Sequence, residues 1–271
     1  MNFPRILKKR KGYIDRIKPF MQKSVAKVLT GQRRVGKSFL LYQLIEEILA
    51  EEPDANIIYV NLEDFTFSSL QTAEDLHSYI ISHSKEKVKN YIFIDEIQDI
   101  PGFEKVIRSL LLNEDNDIYI TGSNAKMLSG ELATYLSGRY IEFKIYSLSY
   151  SEFLEFHGLT ESETSYELYS RYGGLPYLLN LPLEDETVNE YLKSVYSTIV
   201  FRDVVSRYKL RNTLFLEKLI QFLSENIGNL FSAKNISDYL KSQYTTISVN
   251  QIQSYTEYLN NAFLIHRVER Y

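Results

Sequence analysis

Gly31-Gln32-Arg33-Arg34-Val35-Gly36-Lys37-Ser38 is the stretch whose reading decides the fold. It fits the pattern G-x-x-x-x-G-K-[ST] in full, and its flanks suit it. Residues 24–30 read as a strand that ends at Gly31. After Ser38, the apolar residues Leu40, Leu41, Leu44, Ile45, Ile48 and Leu49 recur at helical spacing. Glycines let the backbone curl until its N–H groups point inward, which makes an anion nest at the N-terminus of a helix. Lys37 then offers a point charge to the β- and γ-phosphates of a nucleotide, and the Ser38 hydroxyl is placed to coordinate Mg2+. The expected nucleotide contacts are Gly31, Gln32, Arg33, Arg34, Val35, Gly36, Lys37, Ser38 and Phe39. A solvated Gly-Lys turn would need neither the strand before it nor the amphipathic helix after it.

Working outward, Tyr91-Ile92-Phe93-Ile94-Asp95 is a continuous apolar run ending in an acid, the pattern of a buried parallel strand. Behind a phosphate-binding loop, that acid is where a Mg2+-ordering carboxylate belongs, so Asp95 joins Ser38 as a metal-site residue. Glu96 follows it, placed to polarise a water for in-line attack on the γ-phosphate. Such a glutamate favours hydrolysis over phosphoryl transfer to a small acceptor. Thr121-Gly122-Ser123-Asn124 ends a further strand. Thr121 there either touches the γ-phosphate or attacking water, or merely opens a strand-to-helix turn. Arg139 opens yet another strand. It either stabilises γ-phosphate charge, in cis or across a subunit boundary, or pairs with an acid at the surface.

The rest of the chain supplies the frame. Strands expected at 57–61, 91–95, 117–121 and 140–143 alternate with helical patterns over 70–83 and around Phe103-Val106-Ile107-Leu110. That alternation implies an α/β fold with a parallel sheet covered by helices on both faces. From about residue 148 the strands stop, and residues 149–158, 163–171, 186–208 and 213–227 read as helices. Helices at 232–242 and 247–261 and a strand-like 263–270 then suggest a winged helix over residues 212–271, with Tyr271 a truncation point.

Composition narrows the chemistry. The 271 residues contain no cysteine, so disulfides, Cys-based zinc sites and Cys nucleophiles are excluded. The four histidines show no metal-ligand spacing, and no apolar run is long enough to cross a bilayer. A cytoplasmic protein fits these features. The net charge of −4 hides an asymmetry, since residues 1–37 carry twelve basic side chains against Asp15 alone, which leaves −15 for the remainder. A front end of +11 could face nucleotide or nucleic-acid phosphates, or could be a solvated face. The 247–261 helix, which a winged helix would place in the major groove, contains no lysine or arginine. It is a poor DNA reader by charge. Packing or switching is therefore the preferred reading, and a DNA-binding regulator controlled by ATP is the alternative.

Taken together, these residues resemble the AAA-type ATPases of bacteria and archaea described as predicted AAA+ superfamily ATPases. The resemblance rests on Leu29-Thr30-Gly31 through Ser38, Tyr59-Val60-Asn61-Leu62-Glu63-Asp64, Phe93-Ile94-Asp95-Glu96-Ile97-Gln98 and Ile120-Thr121-Gly122-Ser123-Asn124. Leu136-Ser137-Gly138-Arg139, Leu148-Ser149-Tyr150-Ser151-Glu152-Phe153 and Tyr172-Gly173-Gly174-Leu175-Pro176 complete it. The resemblance implies a P-loop core over residues 1–150 with sheet order 5-1-4-3-2, a helical lid over 151–211 and the winged helix over 212–271. It also implies ATP and Mg2+ as ligands, a nucleotide contact from Pro176 of a Gly-x-Pro element, and a nuclease-like domain beyond Tyr271. ATP or ADP, DNA and further copies of the chain are the partners this reading admits.

Overall fold

Five short segments pair as one parallel sheet: β1 Ala26–Thr30, β2 Asn56–Asn61, β3 Asn90–Asp95, β4 Asn116–Gly122 and β5 Tyr140–Lys144. The computed structural model describes residues 8–125, 136, 138–242 and 247–268. The strand order is β2-β3-β4-β1-β5, which is 5-1-4-3-2 read from the other edge. Helix α1 Lys11–Ile17 precedes β1, and α2 Lys37–Glu51, α3 Ala73–His83 and α4 Phe103–Leu110 lie between the strands.

Strand β3 shows why the sheet needs helices on both sides. Its side chains alternate in direction. Ile92 and Ile94 join Leu76 and Ile80 of α3 and Val106, Ile107 and Leu110 of α4 in one core. Tyr91 and Phe93 join Ile14 and Ile17 of α1 and Leu40, Leu41, Leu44 and Ile45 of α2 in another. Burial on both faces is the reason the strand reads as an unbroken apolar run. On the second face Phe93 stacks on Tyr119, with ring centroids 4.5 Å apart.

The helices α5 Tyr150–His157 and α6 Glu163–Tyr172 follow, each opened by a capping box, Ser149 with Glu152 and Ser162 with Ser165. A 3-10 turn at Pro176–Asn180 leads to α7 Asp185–Thr198. The chain divides inside α7 into two compact units, Met1–Glu190 and Tyr191–Tyr271. The second unit holds π-helical turns at Ile199–Ser206, then α8 Thr213–Glu225, α9 Ala233–Ser242 and α10 Val249–Asn261. Phe215, Leu216 and Leu219 of α8, Ile236 and Leu240 of α9, and Ile252 and Leu259 of α10 are all buried.

Two expectations are corrected. The helix expected over 186–208 changes from α to π winding at Ile199. The strand expected over 263–270 does not form in its described part: residues 262–265 turn and 266–268 are irregular, while 269–271 lie outside the described residues. A strand needs a ladder to satisfy its backbone. Here the end of α10 is closed locally instead, by Phe263 N–H donating to the Asn260 carbonyl and Leu264 N–H to that of Leu259, both 3.0 Å. Phe263 takes a left-handed backbone to do so.

The basic front end is largely consumed within the first unit. Lys9 and Lys18 pair with Glu47, Arg10 with Glu152, Lys27 with Asp117 and Arg33 with Glu63. Lys8 donates to the carbonyls of Glu155 and Phe156 at the end of α5. The pair Lys27–Asp117 is fully buried, with Tyr119 donating its hydroxyl to the same carboxylate at 2.7 Å. Burial pushes the Lys27 ammonium below the ordinary lysine range, and Asp117 offsets only part of this. Lys27→Met removes one partner of this buried pair and should lower the unfolding free energy by about 3–5 kcal/mol in urea titration.

Candidate functional site

The carboxyl ends of β1, β3 and β4 lie at one edge of the sheet, and the expected residues meet there. From β1 the chain turns at Gly31, whose φ is 152°. A side chain at Gly31 would come within 2.2 Å of the Ile145 carbonyl oxygen, so only glycine fits. Arg34 and Gly36 also take left-handed backbones, φ 69° and 94°, and curl the loop into the N-terminus of α2. Lys37 is buried and donates from Nζ to the carbonyls of Gly31 (3.0 Å) and Gln32 (3.1 Å). The loop is fastened from behind by Arg10, which gives Nη1 to the carbonyls of Val35 (3.2 Å) and Tyr146 (2.9 Å). The rest of its guanidinium pairs with Glu152, both contacts at 2.8 Å.

Opposite the loop, Asp95 ends β3 and is 2% exposed. Its carboxylate accepts hydrogen bonds from the Ser38 and Thr121 hydroxyls. Burial pushes the Asp95 carboxyl upward, against the pull of those two bonds. Glu96 is also buried, on a left-handed backbone with φ 56°. Its N–H donates to Thr121 Oγ1 at 2.9 Å, so one hydroxyl joins both acids. Oε2 of Glu96 accepts from Ser123 Oγ (3.0 Å) and Gln98 Nε2 (2.5 Å), and Oε1 lies 3.7 Å from Lys37 Nζ. Burial pushes this carboxyl up too, but Lys37, Gln98, Arg33 and Ser123 together hold it below the ordinary glutamate range. Two neighbouring acids are thus pulled in opposite directions, and Glu96 is ionised at neutral pH.

The Ser38 hydroxyl and the Asp95 carboxylate form a hard oxygen pair of the kind Mg2+ takes, and a buried carboxylate gains most from a nearby cation. Among the described residues no group of three or more His, Cys, Asp or Glu side chains could cage a metal. A two-ligand site suits Mg2+, which keeps waters and substrate phosphates in its remaining positions. Pro176 arrives from beyond α6, and its Cγ would lie 3.7 Å from a Cβ at Gly36. The segment is pinned by the Leu148 N–H, which donates to the Gly174 carbonyl at 2.7 Å. Phe39 is half exposed and meets the Tyr42 ring edge-on at 6.0 Å.

Arg139 is not part of this cluster. It is exposed and precedes β5, and its carbonyl accepts from Ala26 N–H, at the opposite end of β1 from Gly31. A five-residue strand at about 3.3 Å per residue separates the two ends, farther than an arginine side chain extends. Ser137, two residues before it, lies outside the described residues. Arg10, Glu63, Gln98, Ser123 and Glu152 were not among the expected site residues. All but Arg10 stood inside stretches quoted above, where their place in a motif was the available signal; nothing around Arg10 marks it.

Residues 23–154 match the family model of an AAA domain. That stretch is an AAA-type P-loop domain. Residues 163–271 match a domain of unknown function. An uncharacterized protein of Haemophilus influenzae is 37% identical over 274 residues, covering 97% of this chain and 66% of the relative. An uncharacterized protein of Methanocaldococcus jannaschii is 32% identical over 252 residues, covering 88% and 55%. The chain therefore spans only part of either relative's length. Among solved structures, the ORC1 protein of Aeropyrum pernix in complex with DNA is similar over 96% of this chain and 85% of that one, at 13% identity and a TM-score of 0.48.

Because the turn at Gly31 leaves no room for a methyl group, Gly31→Ala should destabilise the chain by more than about 2 kcal/mol in urea titration, and should also abolish nucleotide binding. Gly12→Ala, where a Cβ would meet nothing within 4 Å, is the control expected to leave binding unchanged and stability unchanged or raised by up to about 1 kcal/mol.

Proposed function

We propose that this chain hydrolyses ATP with Mg2+, and that the nucleotide's state alters the position of the segment carrying Pro176. The observation that carries this reading is the shared hydroxyl of Thr121, which binds the Asp95 carboxylate and the Glu96 backbone at once. It presents one acid to the Ser38 side of the site and leaves the other carboxylate beside Lys37.

Ser38 and Asp95 would hold Mg2+, which supplies positive charge to the β- and γ-phosphate oxygens when bound. Lys37 exchanges the loop carbonyls for the phosphates, and the loop N–H groups and the start of α2 neutralise the rest. Glu96, ionised, accepts a proton from a water aligned with the γ-phosphorus. The water oxygen bonds to phosphorus, the bond to the β–γ bridging oxygen breaks, and ADP and phosphate leave. A nucleotide lying against both Gly36 and Pro176 ties the segment after α6 to the core, and loss of the γ-phosphate weakens that tie. In this reading residues 151–211 act as a lid and 212–271 as a winged helix used for packing or switching in the cytoplasm.

The alternative, an ATP-controlled DNA binder, rested on the basic front end. Many of those charges now have partners inside the fold, and the exposed side of α10 offers Asn250, Gln251, Gln253 and Glu257. A second reading follows from Arg139: out of reach of its own site, it serves the γ-phosphate of a neighbouring copy.

Glu96→Gln should bind a fluorescent ATP analogue as the wild type does and lose turnover by at least about 100-fold; unchanged turnover would sink the role of Glu96. Turnover per chain should rise with protein concentration, and Arg139→Ala should stay low at every concentration. Activity independent of both would remove the shared site.

A further inference from the structure

The strand β3 ends in a way that a plain acid–acid pair does not require. Glu96 takes a left-handed backbone, φ 56° and ψ 46°, and a 3-10 turn at Ile97–Asp99 follows at once. Ile97 is fully buried in the aliphatic core and anchors that turn. The turn brings the side chain of residue 98 back over the carboxylate of residue 96, so that Gln98 Nε2 donates to Glu96 Oε2 at 2.5 Å. Ser123 Oγ donates to the same oxygen from the end of β4, at 3.0 Å. With Lys37 on the other oxygen, each oxygen of the carboxylate has a cationic or donor neighbour from a different segment.

The amide of Gln98 is held in place at a cost. Its Oε1 is buried and has no hydrogen-bond partner among the described residues. Turning the amide over would set that oxygen against the acceptor oxygen of Glu96, so the carboxylate fixes which way the amide faces. Buried polar atoms are nearly always paired, and one left bare to keep its partner nitrogen in place marks a side chain retained for its effect on a neighbour.

We propose that Gln98, seconded by Ser123, is a positioning residue for ATP hydrolysis: its amide sets the direction of the Glu96 carboxylate toward the attacking water. This rests on the ATPase reading above. Gln98 donates to the Glu96 carboxylate, and its role is exercised through that group. A side chain of equal length without the donor frees the carboxylate to rotate toward Lys37, and the water loses its alignment.

Gln98→Met keeps length and volume and removes the donor. Its kcat should fall at least tenfold, with KM and the affinity for an ATP analogue within twofold of wild type. In single-turnover measurements with Glu96→Gln as background, adding Gln98→Met should change the residual rate by less than twofold, because the group it positions is already gone. Gln98→Asn, which keeps an amide, should recover more activity than Gln98→Met. A wild-type chain without turnover overturns the ATPase reading and this one with it. A wild type that turns over, beside a Gln98→Met variant with unchanged kcat, overturns only the positioning role. So does a loss that persists undiminished in the Glu96→Gln background, or one that appears equally in nucleotide affinity.

Discussion

Parallel pairing of β1, β3 and β4 is the constraint on which the site depends. Because the strands run the same way and in register, Leu29 lies beside Thr121, and Ile94 beside Ile120. The residues just beyond those pairs are forced to one edge: the turn at Gly31, the acids Asp95 and Glu96, and the polar end of β4. An antiparallel neighbour would have carried one of these groups to the far side of the sheet. The same register sends Lys27 and Asp117 to the other end, where their charges meet each other and leave the phosphate edge alone.

Electrostatics then separates two acids that are adjacent in sequence. Asp95 is more deeply enclosed, and burial dominates it. Glu96 is nearly as enclosed but faces Lys37, Arg33 and two neutral donors, which more than repay its desolvation. The result is one carboxylate suited to a metal cation and one suited to accept a proton from water. Lys37 takes part in both arrangements. Its contacts with two loop carbonyls and Glu96 are the ones a phosphate bound in the proposed way would replace, which would couple occupation of the loop to release of the glutamate.

Arg10 shows how charge counting along a sequence can mislead. A run of basic residues at the front of the chain has the composition of a nucleic-acid arm, yet this arginine is 4% exposed and spans the back of the phosphate loop, the exit of β5 and the start of α5. A buried ion pair adds little net stability compared with an apolar contact of the same shape, because both ions must be stripped of water. What it contributes is geometry. The planar guanidinium fixes three carbonyls and a carboxylate in one arrangement, and so holds the loop against the segment that leads toward Pro176.

The sequence by itself determined the core of this protein. The loop spacing, the apolar strand ending in Asp95-Glu96 and the alternation of strands with helices are local patterns, each tied to backbone geometry that the residues themselves dictate. Even Gly31 is legible this way, since its place in the loop demands a conformation closed to other residues. Tertiary structure alone decided what depends on pairing between distant segments. Nothing near Arg10 says that Glu152 will meet it, 142 residues away. The distance of Arg139 from the loop follows from strand register rather than from its motif. The strand expected after α10 does not form in its described part, residues 263–268, because β-propensity describes a segment, whereas a strand exists only when a partner accepts its hydrogen bonds.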